Sequence, residues 1–394
     1  MADSVLKRGW STRRFDQMAT MVNDRVDDPS LAGVDYYVGL EHLDSDSLAI
    51  RRWGSPSDVE ATKLRFRPGD IIFGRRRVYQ RKLGVAHFDG ICSAHAMVLR
   101  AKPSVVLPEF LPFFMQSDLF MERAKEISVG SLSPTINWKT LAQEEFKLPP
   151  LEEQRKIIAV LSLLEGFVES LRTVIQCLRA VHRTYLVGLS QSGDSQLVSL
   201  GSLLTSITAG KSVVGADIAP VAAEKGVLKV SAVDPRGFLP DESKRLLNQA
   251  EFVDRLSLRA GDVLISRANT AELVGEVCRV DQDYPNLMLC DKTLRLDPAL
   301  GVDGELLAEL LQAEHVRQQL RRVATGTGRA MKNISQPAIR LLEVDYPRDS
   351  LVREEARMAL HSMRKAEMRV RARYDESVAQ AATLRNSLLN GAPR

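Results

Sequence analysis

Basic residues are concentrated in one short stretch of this sequence. Residues 75–82, RRRVYQRK, include four arginines and one lysine and no acidic residue. Arginine and lysine bind phosphate groups, and arginine can donate two parallel hydrogen bonds to a guanine edge in the major groove of DNA. We therefore expect DNA contacts from Arg75, Arg76, Arg77, Gln80 and Lys82. The alternative is a solvated hairpin whose charges serve solubility.

Two loops further along the chain combine glycine with small hydrogen-bonding residues. They are residues 130–138 (GSLSPTINW) and 326–335 (GTGRAMKNIS). Glycine lets a backbone approach a phosphate closely, and serine, threonine and asparagine offer hydrogen bonds to DNA. The candidates for DNA contact in these loops are Ser131, Ser133, Thr135, Asn137, Arg329, Lys332 and Asn333. The alternative is that each loop only leads to the last strand of its domain, with Asn137 and Asn333 closing a turn.

Signatures of catalysis are missing from the sequence. It contains no GxxxxGK[ST] nucleotide-binding loop, no NPPY-like methyl-transfer motif, no glycine-rich S-adenosylmethionine loop and no nuclease-like constellation. The four cysteines form no CxxC pair and have no zinc-like spacing to histidine. We therefore expect a chain that is not an enzyme and that binds no cofactor or metal itself.

Composition adds weaker constraints. Of the 394 residues, 44% are hydrophobic and 26% are charged, and the net charge is +4. Two or three globular domains are expected, and the mild positive charge is compatible with a polyanionic partner without requiring one. Scattered cysteines, residues 1–10 without a signal-peptide core, and no apolar run of about 18 residues predict a cytoplasmic protein without a membrane span.

Sequence landmarks recur in the same order in the two halves of the chain. Gly69-Asp70 and the apolar run after it match Gly261-Asp262 at an offset of 192 residues, and Val38–Leu40 corresponds to Val227–Val230. Residues 111–130 match residues 307–326, and Asn137 corresponds to Asn333; both matches have an offset of 196 residues. Such spacing predicts two copies of one domain and an internal pseudo-two-fold, because the period is too long for a solenoid repeat. The second copy adds Arg267, Asn269 and Lys292 to the candidates for DNA contact.

Each copy ends in a long segment with heptad spacing. In the first segment the apolar positions are Ile157, Leu161, Leu164, Val168, Leu171, Ile175, Leu178 and Tyr185. The second segment, residues 351–389, has a weaker seam in which Glu367 and Ser377 take seam positions. At 1.5 Å per residue each helix would be about 50 Å long. A helix with one exposed apolar stripe is unstable alone, so we predict an antiparallel coiled coil that separates the two domains. The alternative is that each helix packs on its own domain.

Short β-like runs alternate with helical segments in each copy, which predicts an α+β fold for both domains. Strands are expected at residues 70–73, 84–87, 97–100, 263–266, 275–280 and 293–296, and helices at 108–125 and 304–322. The predicted boundaries are 1–150 for the first domain, 151–190 for the first long helix, 191–347 for the second domain and 348–394 for the second long helix. Residues 191–195 read as a flexible polar linker.

The end of the first copy resembles a known family. Residues 130–161, GSLSPTINWKTLAQEEFKLPPLEEQRKIIAVL, are similar to the end of a target recognition domain in specificity subunits of type I restriction–modification systems, and PPLEEQ (residues 149–154) is their most specific piece. Residues 69–95 resemble the core of the same family's first domain. Residues 261–275 and 287–296 resemble a different recognition-domain subtype. The second copy departs from the family, with DYPRD at residues 345–349 in place of the Pro-Pro-Leu-x-x-Gln signature.

The resemblance implies two target recognition domains that bind an asymmetric bipartite site in double-stranded DNA, with the paired helices fixing the gap. It also implies that two methyltransferase subunits dock on the helices and that restriction subunits join them. Those partners would carry S-adenosylmethionine, ATP and Mg. The competing hypothesis for function is a non-catalytic protein-interaction scaffold with a coiled-coil rod.

Overall fold

The structure is a computed structural model that describes residues 9–221, 223–234, 236–326 and 331–390. Contacts divide the chain into two compact units. Unit 1 comprises Met1–Leu171 with Arg373–Arg394, and unit 2 comprises Arg172–Ala372. Each unit therefore contains one copy of the sequence repeat together with parts of both long helical segments.

Unit 1 mixes helices and strands. Its strands are β1 (Ser11–Arg14), β2 (Ala19–Val22), β3 (Arg25–Val26), β4 (Tyr37–Val38), β5 (Lys63–Phe66), β6 (Ile71–Gly74), β7 (Leu83–Val85), β8 (Gly90–Ser93), β9 (Ala96–Ala101) and β10 (Glu145–Leu148). Its helices are α1 (Phe15–Met18), α2 (Phe110–Gln116), α3 (Asp118–Glu126) and α4 (Trp138–Leu141), and the first long helix, α5 (Leu151–Ser190), follows them.

Unit 2 has a similar succession of elements. Its strands are β11 (Ser195–Ser199), β12 (Leu204–Ala209), β13 (Gly215–Ala216), β14 (Gly226–Leu228), β15 (Val233–Asp234), β16 (Gly237–Phe238), β17 (Ser243–Leu246), β18 (Ser257–Leu258), β19 (Val263–Ser266), β20 (Ala268–Asn269), β21 (Val277–Arg279), β22 (Tyr284–Met288), β23 (Thr293–Pro298), β24 (Lys332–Asn333) and β25 (Glu343–Pro347). Its helices are α6 (Gly304–Leu310), α7 (Glu314–Val323) and α8 (Gln336–Arg340), and the second long helix is α9 (Ser350–Leu389). The predicted linker is short, because β11 already begins at Ser195.

The sheets of the two units have matching topology. The order β2-β9-β6-β7 in unit 1 equals β12-β23-β19-β21 in unit 2, and every pair in both sheets is antiparallel. The parallel pair β4·β8 likewise corresponds to β14·β22. The edges of these second sheets differ. In unit 2, β17 and β13 extend the sheet beyond β14, and β18, which pairs with β22 as β5 does with β8, has no outer partner like β3 among the described residues. The two units therefore share the four-stranded sheet and the parallel pair, and they differ at the edges of the second sheet.

The repeated Gly-Asp motif starts a turn into the same buried strand in both units. Gly69 and Gly261 have φ of +87° and +91°, a region that glycine adopts without the steric cost of a Cβ. The carboxylate of Asp70 accepts a hydrogen bond from the backbone three residues earlier at 2.9 Å, and that of Asp262 does so at 3.0 Å. The motif thus recurs because it forms the turn that precedes β6 and β19.

Both of these strands are buried on both faces. In β6, Ile71 and Phe73 belong to the main core of unit 1, whereas Ile72 belongs to a second core on the other face of the sheet. Strand β19 follows the same pattern. The main core of unit 1 is rich in phenylalanine, with Phe15, Phe73, Phe110, Phe114, Phe120 and Phe146. That of unit 2 is built mainly from leucine, valine and isoleucine.

The helix predicted at residues 108–125 is broken, and so is its counterpart at 304–322. Helices α2 and α3 are separated at Ser117, whose backbone is extended and whose hydroxyl accepts a hydrogen bond from the Phe120 N–H at 3.3 Å. In unit 2 the backbone is extended at Ala313, between α6 and α7. Periodicity alone did not reveal the break, because both halves of each segment carry buried apolar residues.

The Pro-Pro-Leu-x-x-Gln signature ties the start of α5 to unit 1. Gln154 is completely buried, and its side chain accepts a hydrogen bond from the Leu107 N–H at 2.8 Å and donates to the Pro149 carbonyl at 2.9 Å. Helix α9 begins at Ser350 without this signature. There Arg353 donates to the carbonyls of Pro347 and Arg348 at 3.0 and 2.6 Å.

Parts of both long helices contribute to each unit. In unit 1, Ile157 and Leu161 of α5 share the main core with Leu389 of α9. In unit 2, Leu186 of α5 shares the main core with Leu360 of α9. The polar seam residue Glu367 is 12% exposed and accepts a hydrogen bond from the Arg179 Nε at 2.6 Å. A charge in the seam therefore has a partner on the other long helix.

Candidate nucleic-acid interface

The two loops of unit 1 that were selected separately from the sequence lie side by side. We call residues 75–82 and 129–137 loop pair 1. The Ile136 N–H donates to the Arg75 carbonyl at 2.9 Å, and the Arg77 N–H donates to the Pro134 carbonyl at 2.8 Å. Arg76 and Thr135 form an isolated antiparallel bridge. The basic stretch after β6 and the serine-rich loop before α4 therefore form one surface.

Unit 2 contains the same arrangement. We call residues 267–276 and 325–335 loop pair 2, of which 327–330 lie outside the described residues. The Ile334 N–H donates to the Arg267 carbonyl at 2.8 Å, and β20 pairs with β24 through Ala268 and Asn333. Arg267 therefore occupies the place of Arg75, and Ile334 that of Ile136.

This equivalence corrects one sequence match. The predicted partners Asn137 and Asn333 are not equivalent, because Asn333 exchanges two backbone hydrogen bonds with Thr325 just as Thr135 does with Val129. Asn333 lies 198 residues after Thr135, whereas Thr325 lies 196 residues after Val129. The second loop of loop pair 2 is therefore two residues longer than that of loop pair 1. The structural counterpart of Asn137 is Ser335: both residues cap the short helix that follows, α4 or α8.

Two arginines of loop pair 1 adopt left-handed backbone conformations. Arg77 has φ 56° and Arg81 has φ 52°, and they flank one short turn at residues 78–80. Such conformations are uncommon for residues other than glycine, asparagine or aspartate and cost about 1–2 kcal/mol for an ordinary L-residue. Strained residues of this kind concentrate at functional sites.

The basic residues of loop pair 1 divide into outward and inward groups. Arg76 and Arg77 are exposed, and the Arg77 Nε donates to the Ser133 hydroxyl at 3.1 Å. Arg81 instead contacts Asp46 at 2.6 Å and Asp118 at 3.1 Å and donates to the Gln116 carbonyl at 2.6 Å.

The other candidates for DNA contact in unit 1 differ in exposure and in hydrogen bonding. The Lys82 ammonium donates to the Leu40 carbonyl at 2.6 Å, so this candidate also holds the loop in place. Ser131 is exposed, while Gln80 and Thr135 are half-buried. Asn137 accepts a hydrogen bond from the Lys139 N–H at 3.1 Å, which is the turn-closing role left open above. Arg75 is half-buried, and within the described residues it has no side-chain hydrogen bond.

The candidates of unit 2 also lie on or beside their loop pair. The Arg267 N–H donates to the Lys292 carbonyl at 2.9 Å, which brings Lys292 next to loop pair 2. Asn269 accepts a hydrogen bond from the Thr270 N–H at 2.9 Å, and Lys332 donates to the Gly326 carbonyl at 2.7 Å. Arg267 and Lys292 are half-buried and Asn333 is exposed. The candidate Arg329 lies outside the described residues.

Metal-ligand clusters and reactive thiols are two features on which catalysis can depend. The described ranges contain no group of three or more histidine, cysteine, aspartate or glutamate residues that could hold a metal ion. Burial raises the pKa of the Cys92 thiol to about 12, and it also raises the pKa of Cys278 and Cys290. These thiols therefore stay protonated at neutral pH and are poor nucleophiles. No described helix combines the length and the apolar character needed to cross a bilayer.

Sequence reasoning missed the apolar residues of loop pair 1. Leu132 is 90% exposed and Val129 is 79% exposed, although both lie among polar and basic residues. Only the accessible surface identifies them, because an isolated leucine or valine in a loop carries no pattern in the sequence.

A family model matches a range that lies mostly in unit 1 and ends within α5. Residues 60–179 match the model described as the type I restriction modification DNA specificity domain. The matched range includes both loops of loop pair 1, the buried strand β6 and the beginning of α5.

Curated relatives match a similar share of the chain. The type I restriction enzyme EcoDI specificity subunit of Escherichia coli is 26% identical over 168 residues, which are 42% of this chain and 37% of that protein. The EcoEI specificity subunit of Escherichia coli is 28% identical over 131 residues, 31% of this chain and 21% of that protein. The chain thus spans little more than a third of the first relative's length and about a fifth of the second's.

A solved structure matches over the whole length. The S subunit of a type I restriction–modification system from M. genitalium aligns with a TM-score of 0.56 at 12% identity, covering 100% of this chain and 98% of that chain. At this identity the similarity concerns the fold, which is the same mixed α/β fold.

Proposed function

We propose, from the premise that this chain carries a type I restriction modification DNA specificity domain, that it is the DNA-recognition subunit of a type I restriction–modification complex. The observation that carries the proposal is the recurrence of one construction in both units. A basic or polar loop after a doubly buried strand is bonded to a second loop that leads to a short capped helix. Backbone bonding of this kind holds side chains in fixed positions, as sequence-specific recognition requires.

In this proposal each unit binds one half of a bipartite target in double-stranded DNA. Loop pair 1 offers Arg75, Arg76 and Arg77, whereas loop pair 2 offers Arg267 and Asn269 with Lys292 beside them. Of these, Arg75 and Arg267 are assigned to guanine and Asn269 to adenine, because arginine prefers guanine and asparagine prefers adenine in the major groove. Two loop pairs with different side chains recognise different half-sites, so the target is asymmetric.

The long helices set the distance between the half-sites. They pair antiparallel as a coiled coil, with target recognition domains at residues 1–150 and 191–347 and helices at 151–190 and 348–394. The shared cores support this arrangement, since Ile157 and Leu161 belong to the same core as Leu389 within unit 1, and Leu186 belongs to the same core as Leu360 within unit 2. Two helices that run in the same direction could not place these residues together in both units.

A second apolar stripe on α5 supports docking of partner subunits. Val160, Leu163 and Phe167 of unit 1 are 43%, 75% and 43% exposed, at spacings of three and four residues. In unit 2, Val174 and Val181 of the same helix are 43% and 53% exposed. A heptad stripe exposed to water fits the helices of another protein. We assign it to the methyltransferase subunits, two per complex, and restriction subunits join the same assembly.

Chemistry belongs to those partners. The methyltransferase subunits hold S-adenosylmethionine, and the restriction subunits hold ATP and Mg. This chain contributes recognition and positioning, and it is not an enzyme. Such a complex works on DNA in the cytoplasm.

The direct test is reconstitution. The chain is co-purified with candidate type I methyltransferase subunits from the same organism and incubated with plasmid DNA and S-adenosylmethionine. The methylated adenines are then mapped by sequencing. Methylation at one asymmetric sequence of two parts with a fixed gap is expected, and the methyltransferase alone should leave the plasmid unmodified. Methylation that is independent of the chain, or a chain that binds no methyltransferase and no DNA, would overturn the proposal.

A further inference from the structure

The most exposed apolar side chain of loop pair 1 lies at the tip of a firmly held loop. Val129 and Thr135 exchange both backbone hydrogen bonds, at 3.1 and 3.0 Å, and so close the loop at its base. Gly130 has φ +118°, which lets the chain turn sharply just after this closure. The Thr135 hydroxyl donates to the Ser133 carbonyl at 3.1 Å. These bonds hold the loop in one conformation, in which the Leu132 side chain is exposed to solvent.

Basic residues support the same loop from one side. The Arg77 N–H donates to the Pro134 carbonyl at 2.8 Å, and the Arg77 Nε donates to the Ser133 hydroxyl at 3.1 Å. Arg76 bridges to Thr135 and is itself exposed. Leu132, 90% exposed, thus lies between Ser131 and Ser133 in a loop that the Arg77 side chain contacts and that the backbone of Arg76 borders.

A single exposed leucine is ordinary, but an apolar tip within a basic, hydrogen-bonding rim has a specific match on DNA. Phosphates surround the major groove, hydrogen-bonding groups line its floor, and the C5 methyl group of thymine is the apolar feature on its base edges. The charges of Arg76 and Arg77 favour this polyanionic surface over an apolar protein groove.

We propose that Leu132 contacts the C5 methyl group of a thymine in the half-site bound by unit 1, while Arg76 and Arg77 bind the neighbouring phosphates. The inference rests on the proposed function and names a specificity-determining residue within it. It explains why the exposed tip of this loop carries leucine, although solvent exposure alone favours a polar residue there.

The test removes the methyl group without changing the base pairing. Duplexes carrying the mapped target are made with each thymine of that half-site replaced in turn by deoxyuridine. Binding of the reconstituted complex is measured at one fixed salt concentration. Burial of one methyl group predicts that one substitution weakens binding about fourfold. Leu132→Ser should weaken binding to the thymine duplex to a similar extent and should bind the thymine and deoxyuridine duplexes equally.

A matched control is available in the same unit. Leu31 is 81% exposed and lies outside loop pair 1, so Leu31→Ser should keep the full preference for thymine. The inference is overturned if the wild-type complex ignores every deoxyuridine substitution, if the half-site holds no thymine on either strand, or if Leu132→Ser keeps the preference. In each of these cases sequence-specific methylation by the wild-type complex would persist, whereas failure of the proposed function would remove that methylation itself.

Discussion

At the scale of single residues, Arg77 and Arg81 illustrate how similar residues acquire different roles. Both have left-handed backbones at the two ends of the same turn. The Arg81 guanidinium contacts Asp46, Asp118 and a backbone carbonyl. Arg77 is exposed, and among the described residues its side chain hydrogen-bonds only to Ser133. The sequence RRRVYQRK does not distinguish them, because the partners of Arg81 come from distant parts of unit 1.

Replacement of Arg77 by glycine should separate DNA binding from stability. Glycine relieves the left-handed strain, about 1 kcal/mol, but loses a similar amount through the greater entropy of the unfolded chain. We expect the free energy of unfolding to stay within about 1 kcal/mol of the wild-type value. DNA affinity should fall about five- to tenfold because a cation at the interface is lost. Chemical denaturation and a DNA titration of the reconstituted complex measure the two effects.

Arg81→Gly is the matched control, because the backbone conformation is the same. This variant loses three bonds within unit 1 and should destabilise the protein by about 2 kcal/mol, a value typical of lost hydrogen bonds to charged groups. If Arg77→Gly proved the more destabilising of the two, or left DNA affinity unchanged, the division into outward and inward arginines would be wrong.

At the scale of elements, α5 carries a partly buried carboxylate, that of Glu165. Burial raises the pKa of Glu165, although Arg51 and Arg385 act in the opposite direction. A raised pKa in the folded state means that Glu165 favours folding below the unfolded-state pKa and loses this contribution as the pH rises through the folded-state value. The charged form of Glu165 therefore opposes the packing of α5 in unit 1.

Glu165→Gln should raise the melting temperature at pH 7.5, since an amide keeps the shape without the charge. The gain should shrink as the pH is lowered to 4.5, because the raised pKa of Glu165 means that the wild-type carboxyl takes up its proton earlier in the folded state than in the unfolded state. Thermal unfolding at both values of pH measures the difference. Glu152→Gln, at an exposed position in the first turn of α5, is the control and should give no gain. A gain of equal size at both pH values would exclude the burial of charge as its cause.

The long helices permit a second prediction at this scale. Insertion of one heptad at corresponding points of α5 and α9 adds about 10 Å to each helix, close to the length of three base pairs at 3.4 Å per step. We expect the reconstituted complex to recognise the same two half-sites with a wider gap. Sequencing of methylated adenines reports the new gap directly. An unchanged gap would show that the helices do not determine it, and a seven-residue insertion in an exposed loop outside both helices serves as the control.

At the scale of the whole molecule, the chain uses one topology twice with different surfaces. Arg75 and Arg267 occupy the same position relative to Ile136 and Ile334, yet the residues around them differ. Two units with one fold and different loops permit independent recognition of two different sequences.

This independence can be measured. Arg75→Ala and Arg267→Ala should each weaken binding by about 1–3 kcal/mol and relax recognition in one half-site only. The effects of distant sites add within about 0.5 kcal/mol, so the double variant should show the sum. Titrations of the complex with duplexes altered in either half-site measure the loss of binding free energy for each variant. Melting temperatures check that assembly is intact. A double variant no weaker than one single variant would mean that both arginines act on one half-site.

The internal repeat, the mixture of helices and strands, and the two long helices were determined by the sequence itself. Their signals are local or periodic: the Gly-Asp turn recurs because it forms the same bonds twice, and heptad spacing produces an apolar stripe whatever the partner is. Such local and periodic patterns can be recognised in the sequence whatever tertiary structure the chain adopts. The breaks at Ser117 and Ala313 escaped prediction because burial continues on both sides of them.

Only the tertiary structure decided how the candidate site is assembled. It joined two loops about 55 residues apart in unit 1, shifted the counterpart of Asn333 from Asn137 to Thr135, turned Arg81 inward and exposed Leu132. The physical reason is that a residue's exposure and bonding depend on which distant backbone packs beside it. That information is distributed over the fold and is not contained in the short stretch of sequence to which the residue belongs.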